Sequence, residues 1–396
     1  MSWLRFLART LLLSAITIAA ASGAELYRPA RDAEVLEYLP LAAARAGDAG
    51  TRVLREWQAR DPSNLDLALR LAQNQIAAAR AASDPRLWGQ AQATLAPWWE
   101  QESPPLGLLL ARAAIHQNRH DFAAAKTDLL RAVTQQPQAA QAWLDLASLQ
   151  QATGDLAAAA ESCGRIAAAG APAIATVCQA GVDALTGRGS EAYAAIESVF
   201  AHHRLADQPA AVRTWAATLL AEIAERLARN GEAERWYRYS LAIDPTDSYT
   251  LAAYADFLLD RGRPADVVQL IAADSSIDSL LLRRVLAEYA LDVEAAQRGI
   301  ALLAARFDAL RERGDRVHRR EESRFRQALT QDPELALELA LENWAVQKEP
   351  LDARIALEAA HAANRPRAAA AVAGWVEGSG LQDIRLAALL LGIRTP

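Results

Sequence analysis

The amino-acid sequence predicts an all-α protein built from repeated pairs of antiparallel helices. Three observations support this prediction: a composition of helix formers, two series of small residues at a nearly constant spacing, and turn residues between the predicted helices. Of the 396 residues, 52% are hydrophobic, 6% aromatic and 23% charged. Alanine dominates and β-branched residues are sparse, which favours helix over strand. The chain is also too apolar to be disordered.

The repeat is visible in the spacing of small residues. Near the middle of each predicted first helix lie Ala113, Ala147, Ala180, Ala221 and Ala255. Early in each predicted second helix lie Ala91, Ala125, Ala159, Ala192 and Ala233. The steps are 34, 33, 41 and 34 residues in the first series and 34, 34, 33 and 41 in the second. Both series lengthen together, across the stretch from His202 to Ala211, so one helix pair is the repeated unit.

Glycine and proline mark the ends of these predicted helices. Between the two helices of successive units, where a helix must stop, lie Gly154, Gly187, Gly231 and Gly262. At the start of a second helix lie Pro264, Pro333 and Pro366. Proline is tolerated there because the first N–H groups of a helix have no intrahelical acceptor.

These features resemble the tetratricopeptide repeat (TPR) family. The best match consists of Trp143, Leu146, Ala147, Gly154, Ala159 and Pro172, and a second consists of Tyr254, Ala255, Gly262 and Pro264. The resemblance covers about residues 32–391 and implies a right-handed superhelical solenoid whose concave face comes mainly from first helices. Single helix pairs cannot bury their apolar faces, so neighbouring pairs must stack into a continuous core.

The same pattern divides the chain into segments. Residues 25–104 form N-terminal units that depart from the family pattern, 105–206 regular units, 207–213 a linker, and 214–391 C-terminal units with a closing helix. The units are expected at about 32–63, 65–104, 106–139, 140–173, 174–206, 214–247, 248–276, 277–314, 317–349 and 350–380, with the closing helix at 381–391.

Residues 1–24 are predicted to be a cleaved secretory signal peptide. Arg5 and Arg9 precede an apolar run at 11–21, and small residues at 22–24 provide a cleavage site after Ala24. The run is shorter than the ~20 residues of a membrane span. Abundant alanine and arginine with little lysine suggest a bacterium of high GC content, so we expect the periplasm. An uncleaved N-terminal anchor is the alternative.

Composition and motifs argue against several function classes. A net charge of -6 is opposite to that of a nucleic-acid binder. The sequence contains no G-x-S-x-G elbow, phosphate-binding loop or dinucleotide fingerprint. His116 and His120 have a metal-ligand spacing, but no third ligand lies nearby, so a packed histidine and a turn histidine are the better interpretation. We therefore expect neither an enzyme nor a metal or other cofactor.

The two cysteines, Cys163 and Cys178, fall on sequential helices that should pack antiparallel. In an oxidising compartment they are candidates for a disulfide, the alternative being two buried thiols.

Adjacent tryptophans, Trp98 and Trp99, cannot both point inward from one helix. Packing between units is the favoured role for the pair, and an anchor for a partner is the alternative.

The family resemblance implies which residues line the concave face. Carried onto this chain they are Trp215, Glu222, Glu225, Tyr249, Asp256, Asp260, Asp278 and Glu288. Such an acidic stripe with two aromatic residues would suit a basic or polar peptide, or a cationic polymer. A merely solvated face is the alternative.

The function expected from these features is a protein-binding scaffold or adaptor in the bacterial cell envelope, without catalysis. The alternatives are a scaffold for polysaccharide or peptidoglycan export or assembly that binds the polymer itself, an enzyme or metal-handling protein, and a self-associating structural protein.

Overall fold

The computed structural model describes residues 47–315 and 317–394. The predicted signal peptide and the first helix of the unit expected at 32–63 lie outside these residues. The chain divides into one unit of residues 1–49 and another of residues 50–396, and the description below concerns the second. Within the described ranges, every regular element is an α-helix or a short 3₁₀ turn, which confirms the all-α prediction. None of these helices is long and apolar enough to cross a membrane.

Twenty α-helices follow one another in the described part of the chain. They are α1 (Gly47–Arg60), α2 (Leu65–Ala82), α3 (Pro85–Leu95), α4 (Leu106–Asn118), α5 (Phe122–Gln135), α6 (Ala140–Ala152), α7 (Leu156–Ala168), α8 (Pro172–Leu185), α9 (Gly189–Ala201), α10 (Ala210–Arg226), α11 (Asn230–Ile243), α12 (Ser248–Asp260), α13 (Pro264–Leu270), α14 (Asp278–Leu291), α15 (Val293–Glu312), α16 (Arg319–Ala328), α17 (Pro333–Val346), α18 (Pro350–Ala362), α19 (Ala370–Ser379) and α20 (Ile384–Arg394). From α2 to α17, each even-numbered helix packs against the helix that follows it.

Local sequence explains where these helices begin and turn. The Asp121 carboxylate accepts a hydrogen bond from the backbone N–H of Ala124 at the start of α5, and Asp155 caps α7 in the same way. These side chains satisfy N–H groups that a helix leaves without partners. Between α6 and α7, Gly154 has a φ of 81°, a conformation that other residues rarely adopt.

The two series of alanines form the narrow centre of the core. All ten are buried, with 0–2% of each residue exposed. Methyl side chains at these positions let helix axes approach closely, while larger side chains fill the space between pairs. The largest fully buried side chains in the described part of the protein are Tyr237, Phe257, Phe307 and Phe325.

Helix pairs that are distant in sequence also touch. The backbone N–H of Lys348 donates to the carbonyl of Ala152 over 2.7 Å. The turn at Gly187 lies so close to Gly380 that a Cβ at Gly187 would stand 3.2 Å from the Gly380 carbonyl oxygen. The C-terminal pairs therefore pack against turns of earlier pairs, in addition to the stacking between neighbours.

Candidate functional site

Four predicted concave-face carboxylates lie on α10 and α12 and are here called the acidic face: Glu222, Glu225, Asp256 and Asp260. The structure brings arginines from later helices onto three of them. Each of these ion pairs joins helices that do not follow one another in the sequence.

Asp256 is enclosed by two guanidinium groups. Its Oδ2 accepts from Nη2 of Arg283 on α14 at 2.8 Å, and its Oδ1 accepts from Nη1 of Arg324 on α16 at 2.6 Å. Burial by itself would raise the pKa of Asp256, but the two guanidinium groups hold it below its ordinary value. Asp256 is therefore a charged link between three helices.

Asp260 and Glu225 are bound by arginines from the end of the chain. Arg354 on α18 approaches both carboxylate oxygens of Asp260, and its Nη2 donates to Oδ1 at 2.8 Å. Arg385 on α20 donates to Glu225 at 2.9 Å, and Glu225 also accepts from the Tyr237 hydroxyl at 3.0 Å. Burial raises the pKa of Glu225, and the opposing charge of Arg385 only partly offsets this effect.

Two further carboxylates are paired with arginines close by. Asp278 on α14 lies 2.5 Å from Arg306 on the following helix. Glu288 binds Arg284 one turn earlier in α14 at 2.7 Å. Trp215 is only partly exposed and packs against two of the hydrophobic clusters that hold the pairs together. A partner approaching these residues would meet ion pairs and packed side chains, in place of the open acidic stripe that the sequence predicted.

Glu222 and Tyr249 differ from the rest of the predicted set. The Tyr249 hydroxyl donates to Oε1 of Glu222 over 2.7 Å. Tyr249 is 57% exposed, whereas Trp215, the other aromatic residue of the predicted stripe, is only partly exposed. Reduced solvation raises the pKa of the half-buried Glu222, although Arg226 and the Tyr249 hydrogen bond act in the opposite direction. The Glu222 carboxylate in turn raises the pKa of Tyr249 well above its ordinary value, because its negative charge disfavours the phenolate. At neutral pH the tyrosine is therefore a neutral donor, fixed on a carboxylate that has no arginine ion pair within the described residues.

The two cysteines are joined in the structure. Cys163 near the end of α7 is bonded to Cys178 in α8, with Cα atoms 5.5 Å apart. Both residues are almost fully buried, so the bond fastens two consecutive helices from inside the core.

The histidine pair has no metal-binding partners in the part of the chain that is described. His116 packs at 5.5 Å from the Trp99 ring, and its Nδ1 lies 3.3 Å from Asp121. His120 lies in the turn before α5, with a φ of 57°. Residues 47–315 and 317–394 contain no group of three or more histidine, cysteine or acidic side chains that could hold a metal ion.

The sequence analysis did not identify the arginines of the C-terminal helices as partners of the acidic face. Arg324, Arg354 and Arg385 are spaced by 30 and 31 residues, close to one repeat, and each binds the acidic face. This spacing was available as a signal.

Neither a family model nor a curated protein matches this chain. Among solved structures, it is similar to the structure of Naa15/Naa10 bound to HypK-THB at 14% identity, with a TM-score of 0.26 and coverage of 87% of this chain and 62% of that one. It is also similar to the crystal structure of the P58(IPK) TPR domain at 13% identity, with a TM-score of 0.21 and coverage of 89% and 94%. The chain thus spans less than two thirds of the first of these structures. At these scores the fold assignment rests on the helices themselves.

Proposed function

We propose that this protein is a non-enzymatic scaffold or adaptor of the bacterial cell envelope that binds a partner protein or peptide through Tyr249 and Glu222. The observation that carries the proposal is the Tyr249–Glu222 pair itself. It leaves an exposed aromatic ring and a carboxylate without an arginine, next to acidic residues that the chain's own arginines already occupy.

The chemistry of this pair suits an interface. Tyrosine is enriched in protein interfaces because its ring buries a large area while its hydroxyl keeps a hydrogen bond. The hydrogen bond to Glu222 fixes the tyrosine before a partner arrives, which reduces the entropy lost on binding. The remaining acceptor positions of the carboxylate favour a partner with a basic or polar donor group.

The surrounding ion pairs support the same proposal. Asp256, Asp260 and Glu225 hold α10 and α12 against helices from later units. A surface on two helices fixed in this way is pre-organised, so a partner need not order it.

A site-specific photo-crosslinker tests this proposal. We would place p-benzoylphenylalanine at Thr246, which is exposed three residues before Tyr249 so that the Tyr249 hydroxyl is kept. The control position is Tyr239, which is exposed on the second helix α11. After irradiation of intact cells, the expected result is a defined crosslinked protein from position 246 and none from 239. The same products from both positions, or none from 246, would overturn the proposed surface.

Point variants then test the Tyr249 hydroxyl and the Glu222 carboxylate separately. Tyr249→Phe and Glu222→Gln should each weaken capture of the crosslinked partner several-fold while leaving the thermal midpoint nearly unchanged. Co-sedimentation with purified peptidoglycan tests polymer binding. If the protein sediments with the polymer and gives no crosslinked protein partner, the alternative of a polymer-binding scaffold would replace this proposal. The envelope location predicts a periplasmic protein whose amino terminus is Glu25.

A further inference from the structure

The adjacent tryptophans that follow Pro97 have different surroundings. Trp99 packs on His116 and lies under the guanidinium of Arg112, whose carbon is 5.8 Å from the ring centroid. Trp98 is partly buried against the cluster that contains Trp88 and Ile115, and it also lines an open cleft of about 600 Å³ at the end of α3. The cleft is lined by Leu65, Ala96, Pro97, Trp98, Glu100 and Gln101.

Elsewhere in the described part of the chain, two tryptophan rings are covered by arginines that also bind a carboxylate. Arg112 lies over Trp99 and binds Asp128 at 2.7 Å. Arg235 lies 5.2 Å from the ring centroid of Trp236 and 3.3 Å from Glu197. An aromatic face and a carboxylate together stabilise a guanidinium by cation–π attraction and by charge-assisted hydrogen bonds.

Among the described residues, the cleft is lined by an aromatic and an acidic residue, as in this arrangement, but by no arginine. Trp98 and Glu100 both line it, and none of its six lining residues is basic. Among the described residues, Glu100 has no ion-pair or hydrogen-bond partner for its side chain. The open cleft also leaves room for a side chain from outside.

We infer that the cleft at Trp98 and Glu100 binds an arginine side chain of a partner protein. The guanidinium stacks on the indole of Trp98 and donates to the Glu100 carboxylate, while the apolar walls at Leu65 and Pro97 accommodate the methylene groups. This site lies outside the Tyr249–Glu222 surface and goes beyond the proposed function.

The test uses the full mature chain and two synthetic peptides. One is acetyl-Gly-Arg-Arg-Gly-amide, and the other carries citrulline, a neutral residue of the same shape, in place of each arginine. Binding is followed by the indole N–H resonance of Trp98, which is assigned from its loss in Trp98→Phe. We expect the arginine peptide to shift this resonance in a saturable way and the citrulline peptide to leave it in place.

A pair of matched variants tests the contribution of the Glu100 carboxylate. Glu100→Gln should weaken binding of the arginine peptide by about tenfold, since it removes the charge-assisted contact. Glu102→Gln, an equal change of charge at an exposed residue outside the cleft lining, should change it by less than about twofold. Equal effects of the two variants, an equal response to citrulline, or an unmoved Trp98 resonance would overturn the inference. Tyr249→Phe should leave peptide binding unchanged, so failure here is distinguishable from failure of the proposed function.

Discussion

The charge of Asp256 is expected to hold distant helix pairs together. Replacing it by asparagine keeps the shape but leaves the Arg283 guanidinium, whose side chain is 4% exposed, without its main counter-charge. Arg324, at 18% exposure, loses the same partner. Removing one member of a buried ion pair costs about 3–5 kcal/mol, because the remaining charge stays desolvated. We expect Asp256→Asn to lower the free energy of unfolding by an amount in this range.

A urea titration followed by circular dichroism measures this loss. The control is Asp266→Asn, since Asp266 pairs with Arg263 in a neighbouring turn where the side chains are 41% and 34% exposed. Exposed pairs contribute about 0–1 kcal/mol, so this variant should unfold close to the wild type. If Asp256→Asn loses no more stability than Asp266→Asn, the cross-array ion pairs do not hold the fold in the way argued here.

The same pair predicts how stability depends on pH. The pKa of Asp256 lies below its ordinary value, since the adjacent guanidinium groups outweigh the effect of burial. The stability contributed by its charge is therefore present above the unfolded-state pKa of about 3.9 and is lost as pH falls through the lowered folded-state value. The difference in urea midpoint between wild type and Asp256→Asn should be constant from about pH 7 to 5 and shrink below about pH 4. A difference that grows on acidification would contradict this sign.

Two further predictions concern a glycine turn and the disulfide bond. Gly187 and Gly170 both have a positive φ, of 83° and 89°, but only a Cβ at Gly187 would meet another part of the chain. Gly187→Ala should therefore lower the free energy of unfolding more than Gly170→Ala does in the same urea titration. Equal losses of stability in the two variants would mean that the close approach of Gly187 and Gly380 contributes nothing. Mass spectrometry of the non-reduced protein should show Cys163 bonded to Cys178, and replacing both by serine should cost about 3 kcal/mol, because the bond closes a loop of 15 residues. Two free thiols in the native protein would refute the first part.

The repeat could be predicted because it depends on local rules. Each pair needs a small residue where its helices cross and a turn where the chain reverses, and both recur at the unit length. The alanines at 147 and 159 and the glycine at 154 are an example, and all three occupy the positions that the spacing assigned to them. These requirements are repeated in every unit, so a single sequence contains the signal many times over.

The surroundings of the candidate site could not be predicted from the sequence. The helix positions of Glu225, Asp256 and Asp260 follow from the periodicity, but their partners lie 27 to 160 residues further along the chain. The spacing of one unit says nothing about which distant unit will face it. For that reason an acidic stripe was expected where the folded chain has ion pairs.

The sequence by itself determined that this protein is helical, that its helices come in pairs, and where most of these pairs turn, because those properties depend on residues within about one unit. Only the tertiary structure decided which carboxylates stay available to a partner. Small rotations between successive pairs add up along an array, and their sum brings Arg354 and Arg385 onto Asp260 and Glu225 while leaving Tyr249 exposed.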